Sequence, residues 1–194
     1  MKLKYPDCLP GDIHLYTEVL SFTRKGRSDY RAYEKEHGRK LLDKMANECF
    51  GFEKLDIQRK PGQKPTAVQK NGKEVFLGLS HTKSLIAGVL SEEYPVAVDI
   101  ENSERRVYEG LFNRMRHPDE PNKLYEENSL LRIWTIKESA LKWSGTGLRT
   151  PMKSLKTEKL ENNLFLSTFF NGKSVKVCSF KESDHWISVA YGQY

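Results

Sequence analysis

The sequence predicts an α+β protein in which two similar halves follow one another along the chain. Two observations support this prediction. Each half contains a helical segment with apolar residues three or four positions apart, and each half contains several short strand-like segments. A helix packed on short, mostly antiparallel strands is typical of α+β folds. We place the boundary between the halves after residue 92, which gives units 1–92 and 93–194.

The first half contains one predicted helix followed by strands. The helix covers 29–49, where aromatic and apolar residues recur at helical spacing, and Gly51 follows it as a stop signal. A Pro-Gly pair at 61–62 and an Asn-Gly pair at 71–72 predict turns between the strands. The strands are predicted at 54–59, 74–80 and 84–91.

The second half opens with a predicted strand at 94–101 and a predicted helix at 104–116, followed by a polar loop at 117–121. The strongest helix prediction covers 129–144, which is apolar on nearly all sides and is followed by two glycines. The Asn-Gly pair at 171–172 predicts a hairpin turn between two of the strands that follow. The last strands are predicted at 163–170, 174–180 and 185–191.

The composition is that of a globular protein, with 38% hydrophobic and 30% charged residues among 194. No run of eighteen apolar residues is present, and the N-terminal segment does not resemble a secretory signal, so we expect a cytoplasmic protein without membrane partners. The three cysteines, Cys8, Cys49 and Cys178, are odd in number and widely spaced, so neither a disulfide framework nor a cysteine metal site is expected.

The formal net charge of +6 favours acidic partners. Nucleic acid, an anionic cofactor and an acidic protein all satisfy that condition. Surface lysines that serve only solubility would give the same net charge. Charge alone therefore leaves these alternatives open.

The strand that begins the second half carries two acidic residues on one face. Because side chains alternate along a strand, Val96, Val98 and Ile100 point one way, while Asp99 and Glu101 point the other, about 7 Å apart at their Cα atoms. Paired carboxylates repel unless a cation lies between them, and their hard oxygens suit magnesium. The alternative is a strand end whose carboxylates are simply hydrated.

The helix at 129–144 places Glu138 and Lys142 one turn apart on the same face. An exposed ion pair at this spacing contributes only about 0.2–0.5 kcal/mol. However, the flanking residues are apolar, and we therefore expect both charges to be partly buried and to require a partner. Ser80, His81 and Thr82, at the end of another strand, supply hydrogen-bond donors for phosphate, although a lone histidine is more often a structural residue.

Taken in order, these segments resemble the surfactin-type 4′-phosphopantetheinyl transferases. Weaker similarity reaches back to Arg24, Arg27 and 39–42, so that the resemblance covers most of the chain. About forty residues separate Asp99 from Glu138, as in the family. The similar segments are Leu79-Ser80-His81-Thr82, Val96-Ala97-Val98-Asp99-Ile100-Glu101, Trp134-Thr135-Ile136-Lys137-Glu138-Ser139-Ala140-Leu141-Lys142, and Gly145-Thr146-Gly147-Leu148 with Pro151.

The resemblance implies a pseudo-dimer of two α/β halves with coenzyme A in the cleft between them. It implies Mg²⁺ held by Asp99, Glu101 and Glu138, and catalysis by Glu138 and Lys142. Glu138 would accept the proton of the carrier serine. The residues implied in coenzyme A binding are Arg24, Arg27 and Arg39 at the 3′-phosphate, with Lys64, Ser80, His81 and Lys142 along the rest of the molecule.

The sequence departs from the family at Gln63 and Ala97, where glycine is usual, and at Gly78, where asparagine is frequent. None of these positions is a proposed metal ligand. The expected partners are coenzyme A and an acidic acyl or peptidyl carrier protein, with no nucleic acid and with the chain as a monomer. The alternatives are a basic nucleic-acid-binding protein, which lacks a recognised motif here, and a magnesium nuclease that uses the same three acids.

Overall fold

The computed structural model describes residues 6–22, 27–58, 64–69 and 72–193, and it has an α+β fold with two five-stranded antiparallel sheets. The first sheet contains β1 (His14–Val19), β2 (Asp56–Gln58), β3 (Thr66–Val68), β4 (Glu74–His81) and β5 (Leu85–Ser91). The second sheet contains β6 (Val96–Asn102), β7 (Lys156–Lys159), β8 (Leu164–Thr168), β9 (Ser174–Glu182) and β10 (His185–Tyr191). The helices are α1 (Arg27–Phe50), α2 (Leu111–Met115), α3 (Asn122–Glu126) and α4 (Leu130–Trp143).

The strand order shows that the two halves are built alike. It is β1-β5-β4-β3-β2 in the first sheet and β6-β10-β9-β8-β7 in the second. In each sheet the first strand along the chain is at one edge and pairs with the last. This arrangement confirms the predicted pair of similar α+β halves, while the boundary between units 1–92 and 93–194 stays a prediction.

Alternation along the strands builds three apolar layers. In β5, Ile86 and Leu90 face α1, whereas Ala87 and Val89 face a cluster to which both sheets contribute. In β6, Val96, Val98 and Ile100 enter that shared cluster, as the sequence predicts, and Ala97 faces α4. One helix therefore covers each sheet, and the cluster shared by the sheets joins the two halves.

Helix α1 packs closely on the first sheet because small residues allow it. A Cβ atom on Gly88 would lie 2.8 Å from the sulfur of Met45, and one on Gly38 would lie 3.0 Å from Leu79 Cδ1. The helix ends at Phe50, and Gly51 follows with φ +74°, a left-handed conformation that glycine adopts easily. The predicted helix at 29–49 and its stop signal are thereby confirmed.

The predicted helix at 104–116 is wrong in most of its length, since only Leu111–Met115 is helical. The preceding residues leave β6 through a turn in which Asn102 Oδ1 accepts from the backbone N–H of Glu104 at 2.9 Å. Residues 104–109 are all exposed, so no apolar stripe holds a helix there. Strands β1, β3 and β7 and helix α3 were not predicted, and the predicted Pro-Gly turn lies outside the described residues.

The cysteine prediction also needs correction, because Cys8 and Cys178 form a disulfide with their Cα atoms 5.7 Å apart. The two residues are 170 positions apart in sequence, so only the tertiary fold brings them together. Cys49 takes no part in the disulfide. Within the described part of the chain, no helix is long and apolar enough to cross a membrane.

Candidate active site

Asp99 is a buried carboxylate at the centre of the candidate site. It lies on the side of β6 that faces α4 and is 3% exposed. Its Oδ1 atom accepts from Lys142 Nζ at 2.6 Å and from Ser80 Oγ at 3.0 Å. Its Oδ2 atom has no hydrogen-bond partner among the described residues. Burial raises the pKa of Asp99, and the Lys142 charge opposes that effect.

Helix α4 supplies the other two charges of the site. Ser129 caps the helix by accepting from the backbone N–H of Arg132 at 3.2 Å. Lys142 Nζ lies 3.8 Å from Glu138 Oε1, and the two side chains are 31% and 18% exposed, which confirms the predicted partial burial. Burial, followed by the nearby charge of Asp99, raises the pKa of Glu138 to about 7.

Glu101 lies at the end of the same strand as Asp99 and is paired with Arg105. The turn that follows β6 folds back, with the backbone N–H of Arg105 donating to Asn102 O at 3.0 Å. Burial raises the pKa of Glu101, while the Arg105 guanidinium lowers it. Arg105 thus neutralises one of the three predicted metal ligands.

Ser80 connects the two halves at this point. It lies on β4 of the first sheet, and its hydroxyl contacts both Asp99 of β6 and Lys142 of α4, the latter at 3.1 Å. The backbones approach closely here, since a Cβ atom on Gly78 would lie 3.2 Å from Ala97 Cα. Two of the departures from the family pattern, at 78 and 97, therefore face each other directly.

Two cavities flank this group of charges. The larger has a volume of about 620 Å³ and is lined by His81, Lys83, Glu101 and Arg105, among others. Its predicted phosphate-binding residue, His81, contacts Glu34 of α1, with Nδ1 and Oε1 2.8 Å apart. The larger cavity thus brings His81 to the same opening as Glu101.

The smaller cavity has a volume of about 340 Å³ and is lined by Lys64 and Lys142, with Gly145 and Gly147 after α4. Lys64 Nζ lies 5.4 Å from the ring centroid of Trp143. Burial lowers the pKa of Lys64 to about 7. Burial therefore favours the neutral amine of Lys64 over the charged ammonium. An anion bound in this cavity would favour the ammonium form instead.

Of the three residues predicted to bind the 3′-phosphate, Arg39 alone has a described side chain, and it lies outside this group of charges. Arg39 lines a separate cavity beside Lys54, and its guanidinium contacts Asp43 at 2.8 Å and the backbone oxygen of Leu55. Arg24 lies outside the described residues. Arg27 is the first residue of α1, and its side chain is not among those the structure describes.

The donor set has the chemistry of a site for a hard divalent cation. Three carboxylates with raised pKa values lie at the junction of β6 and α4, and Asp99 Oδ2 has no partner. The described residues contain no group of three His, Cys, Asp or Glu side chains already gathered to hold a metal. Instead, Lys142 and Arg105 neutralise these acids, so that the carboxylates fit a metal ion only after rearranging around it.

Sequence reasoning missed three residues of the site, which are Glu34, Tyr30 and Arg105. Tyr30 and Glu34 lie one turn apart on α1, and both line the larger cavity. The sequence shows that Tyr30 and Glu34 share a helix face, but it does not show that this face packs against the end of β4. Arg105 lies in the segment 104–116, for which the sequence wrongly predicts a helix.

A protein-family model matches most of the second half of the chain. Residues 95–190 match the model of the 4′-phosphopantetheinyl transferase superfamily. This stretch contains β6, α4 and the predicted residues Asp99, Glu101, Glu138 and Lys142. The match supports phosphopantetheinyl transfer, and hence transferase activity, in general terms. No curated protein matches the chain significantly.

Proposed function

We propose that this protein is a 4′-phosphopantetheinyl transferase of the surfactin type, which moves phosphopantetheine from coenzyme A to a serine of an acyl or peptidyl carrier protein with the help of Mg²⁺. The observation that carries the proposal is the meeting of Asp99, Glu138 and Lys142 within the segment that matches the superfamily. Buried charges are costly to the fold, and a group of them beside two cavities, with raised carboxyl pKa values, is typical of a functional site.

Coenzyme A would occupy the two cavities on either side of this group. Lys142 donates to Ser80, to the backbone oxygen of Val98 and to Asp99. It could exchange its 3.8 Å contact with Glu138 for a pyrophosphate oxygen. Lys64 supplies a cation in the smaller cavity, and His81 supplies ring nitrogens in the larger one. The role of Arg24, Arg27 and Arg39 at the 3′-phosphate stays a prediction, and Arg39 would have to leave Asp43 to fulfil it.

Asp99, Glu101 and Glu138 would hold the metal ion. When bound, magnesium would neutralise the negative charge of the pyrophosphate. Asp99 is the best placed of the three, because its free Oδ2 atom lies within the buried core of the site. Glu101 would have to give up at least part of its contact with Arg105.

Glu138 would act as the general base. The serine hydroxyl attacks the phosphorus atom next to the pantetheine arm, the bond to adenosine 3′,5′-bisphosphate breaks, and the hydroxyl proton passes to Glu138. Burial raises the pKa of this carboxyl to about 7 in the protein without metal, and its oxygen that does not hold the cation would take the proton. Lys142 would stabilise the charge that develops on the leaving group.

The test is to incubate the protein with a fluorescent coenzyme A analogue, Mg²⁺ and a set of apo carrier proteins. We expect label on at least one carrier, and none on a variant of that carrier without its acceptor serine. Parallel reactions with single- and double-stranded DNA and RNA test the two alternatives. Cleavage or tight binding of nucleic acid without labelling of any carrier would contradict the proposal.

A further inference from the structure

Glu34 and His81 contact each other in the wall of the larger cavity. His81 is the last residue of β4, and Glu34 reaches it from α1 with 2.8 Å between Oε1 and Nδ1. The Glu34 side chain is 12% exposed, whereas that of His81 is 46% exposed. The carboxylate is thus largely enclosed behind a ring whose other side remains accessible.

A second contact from the same face of α1 supports this geometry. Tyr30, one turn before Glu34, donates its hydroxyl to the backbone oxygen of Thr82 at 3.1 Å. The helix is held close to β4 at Gly38, where a Cβ atom would come within 3.0 Å of Leu79. Tyr30 and Glu34 of α1 therefore contact two successive residues, which are His81 at the end of β4 and Thr82 directly after it.

We propose that Glu34 is a positioning residue for His81, and that it orients the imidazole so that Nε2 faces a phosphate oxygen of coenzyme A. This inference rests on the proposed function. A ring nitrogen that is hydrogen-bonded to a carboxylate fixes both the orientation of the ring and the position of its proton. With Nδ1 hydrogen-bonded to Glu34, Nε2 is the ring nitrogen left to meet an anion in the cavity, and it donates there when the ring carries both protons.

Simple electrostatics predicts the opposite effect of Glu34, and this makes the inference testable. A negative charge at the edge of the cavity repels an anionic ligand, so removing it should strengthen binding if charge alone matters. If Glu34 acts through His81, removing it should weaken binding. Glu104 provides the matched control, because it is an exposed carboxylate that lines the same cavity.

The experiment measures coenzyme A binding by titration calorimetry for the parent, Glu34→Ala, Glu104→Ala, His81→Ala and the Glu34→Ala/His81→Ala double variant. We expect Glu34→Ala to weaken binding about tenfold, the loss of roughly one charge-assisted hydrogen bond. Glu104→Ala should leave affinity unchanged or slightly improved. In the His81→Ala background, Glu34→Ala should cause no further loss.

A second readout follows the ring itself. Nitrogen-15 NMR should show a hydrogen-bonded Nδ1–H of His81 in the parent and in Glu104→Ala, and its loss in Glu34→Ala. Alanine favours helix, so α1 should persist in the variant, and its melting curve verifies this. If Glu34→Ala binds coenzyme A as tightly as Glu104→Ala, or weakens binding equally without His81, the inference is overturned while the proposed function stands. A parent protein that does not bind coenzyme A would overturn both.

Discussion

Asp99 shows how a single residue can be costly to the fold and useful to a site. Removing a carboxylate from water is unfavourable, and one cation close to Oδ1 offsets only part of that cost. The second oxygen has no partner among the described residues, so the structure leaves a buried acceptor unused. A residue selected for stability alone would not keep this arrangement, whereas a metal ligand would.

Asp99→Asn should therefore abolish magnesium-dependent transfer without unfolding the protein. The substitution keeps the shape of the side chain but removes the charge that would hold the cation. We expect transfer to fall by at least about 100-fold, as for loss of a major charge-stabilising group. The melting temperature should change by only a few degrees, because Lys142 is partly exposed and keeps Glu138 as a partner, so its charge is not left buried and unpaired.

The control for this variant is Glu158→Gln, which removes an exposed carboxylate from β7, far along the second sheet. Calorimetric binding of Mn²⁺ in place of Mg²⁺ gives a readout that does not depend on turnover. Parent-like Mn²⁺ binding by Asp99→Asn would show that Asp99 is not a metal ligand.

Glu138 predicts how metal binding depends on pH. Burial raises its pKa to about 7, so the carboxyl is protonated below that pH and cannot hold a cation. The affinity for Mn²⁺ should therefore fall as the pH decreases from 8 to 6, with the change centred near 7. Because the metal competes with the proton, high metal concentrations should move the activity profile to lower pH. A constant affinity between pH 6 and 8 would contradict this role.

At the scale of elements, α4 carries two lysines with different tasks. Lys142 is partly exposed in the site, whereas Lys137 is fully buried and lies 2.6 Å from Glu120. Glu120 also accepts from the backbone N–H groups of His117 and Thr157. Burial lowers the pKa of Lys137, and Glu120 opposes the effect. The pair thus ties α4 to the loop after α2 and to β7.

Lys137→Met should destabilise the protein strongly, because it leaves the Glu120 carboxylate buried without its cation. Breaking such a pair costs about 3–5 kcal/mol, which corresponds to roughly 10 °C in melting temperature for a chain of this length. Adding Glu120→Gln should recover part of the loss. Lys40→Met, which breaks an exposed pair with Glu36 on α1, should change the melting temperature little. Equal melting of the two lysine variants would contradict this interpretation.

The sequence predicts elements well where a strong local pattern determines them. Helix α4 and strands β4, β5, β6 and β10 were predicted within two residues, because apolar periodicity is clear in each. The failures have tertiary causes. Strand β3 has three residues and exists only by pairing with β2 and β4, and β1 pairs with β5 about seventy residues away.

The candidate site likewise contains residues that local patterns predict and residues that only the tertiary structure brings together. Alternation placed Asp99 and Glu101 on one face, and helical spacing placed Glu138 beside Lys142, so the acidic core of the site could be predicted. The partners that cross between elements could not. Glu34 for His81 and Arg105 for Glu101 depend on how α1 packs and how the turn after β6 folds.

At the scale of the whole molecule, the two halves depend on each other. Ser80 of the first sheet donates its hydroxyl to Oδ1 of Asp99 in the second. The disulfide joins Cys8, before β1, to Cys178 of β9 in the second sheet, and Tyr191 donates its hydroxyl to the backbone oxygen of Cys8 at 2.6 Å. Covalent and polar contacts therefore hold the start of the chain against its end.

Reduction should lower the melting temperature, because the disulfide closes a loop of 170 residues and so restricts the unfolded chain. The expected loss is about 2–5 kcal/mol, or roughly 5–15 °C. Alkylation and mass spectrometry without reductant detect the bond directly. Cys8→Ser should melt at the same temperature with and without reductant, whereas Cys49→Ser should keep the parent's sensitivity. A parent protein with unmodified Cys8 and Cys178 thiols would contradict the pairing.

We propose that the site transfers phosphopantetheine from coenzyme A to a carrier serine. The most direct measurement combines intact-mass analysis of the carrier with quantification of released adenosine 3′,5′-bisphosphate in the same reaction. We expect one bisphosphate released for each carrier that gains phosphopantetheine, dependence on Mg²⁺, and neither product with Asp99→Asn. Release without modification of the carrier, or modification that persists in Asp99→Asn at the parent's rate, would contradict this function.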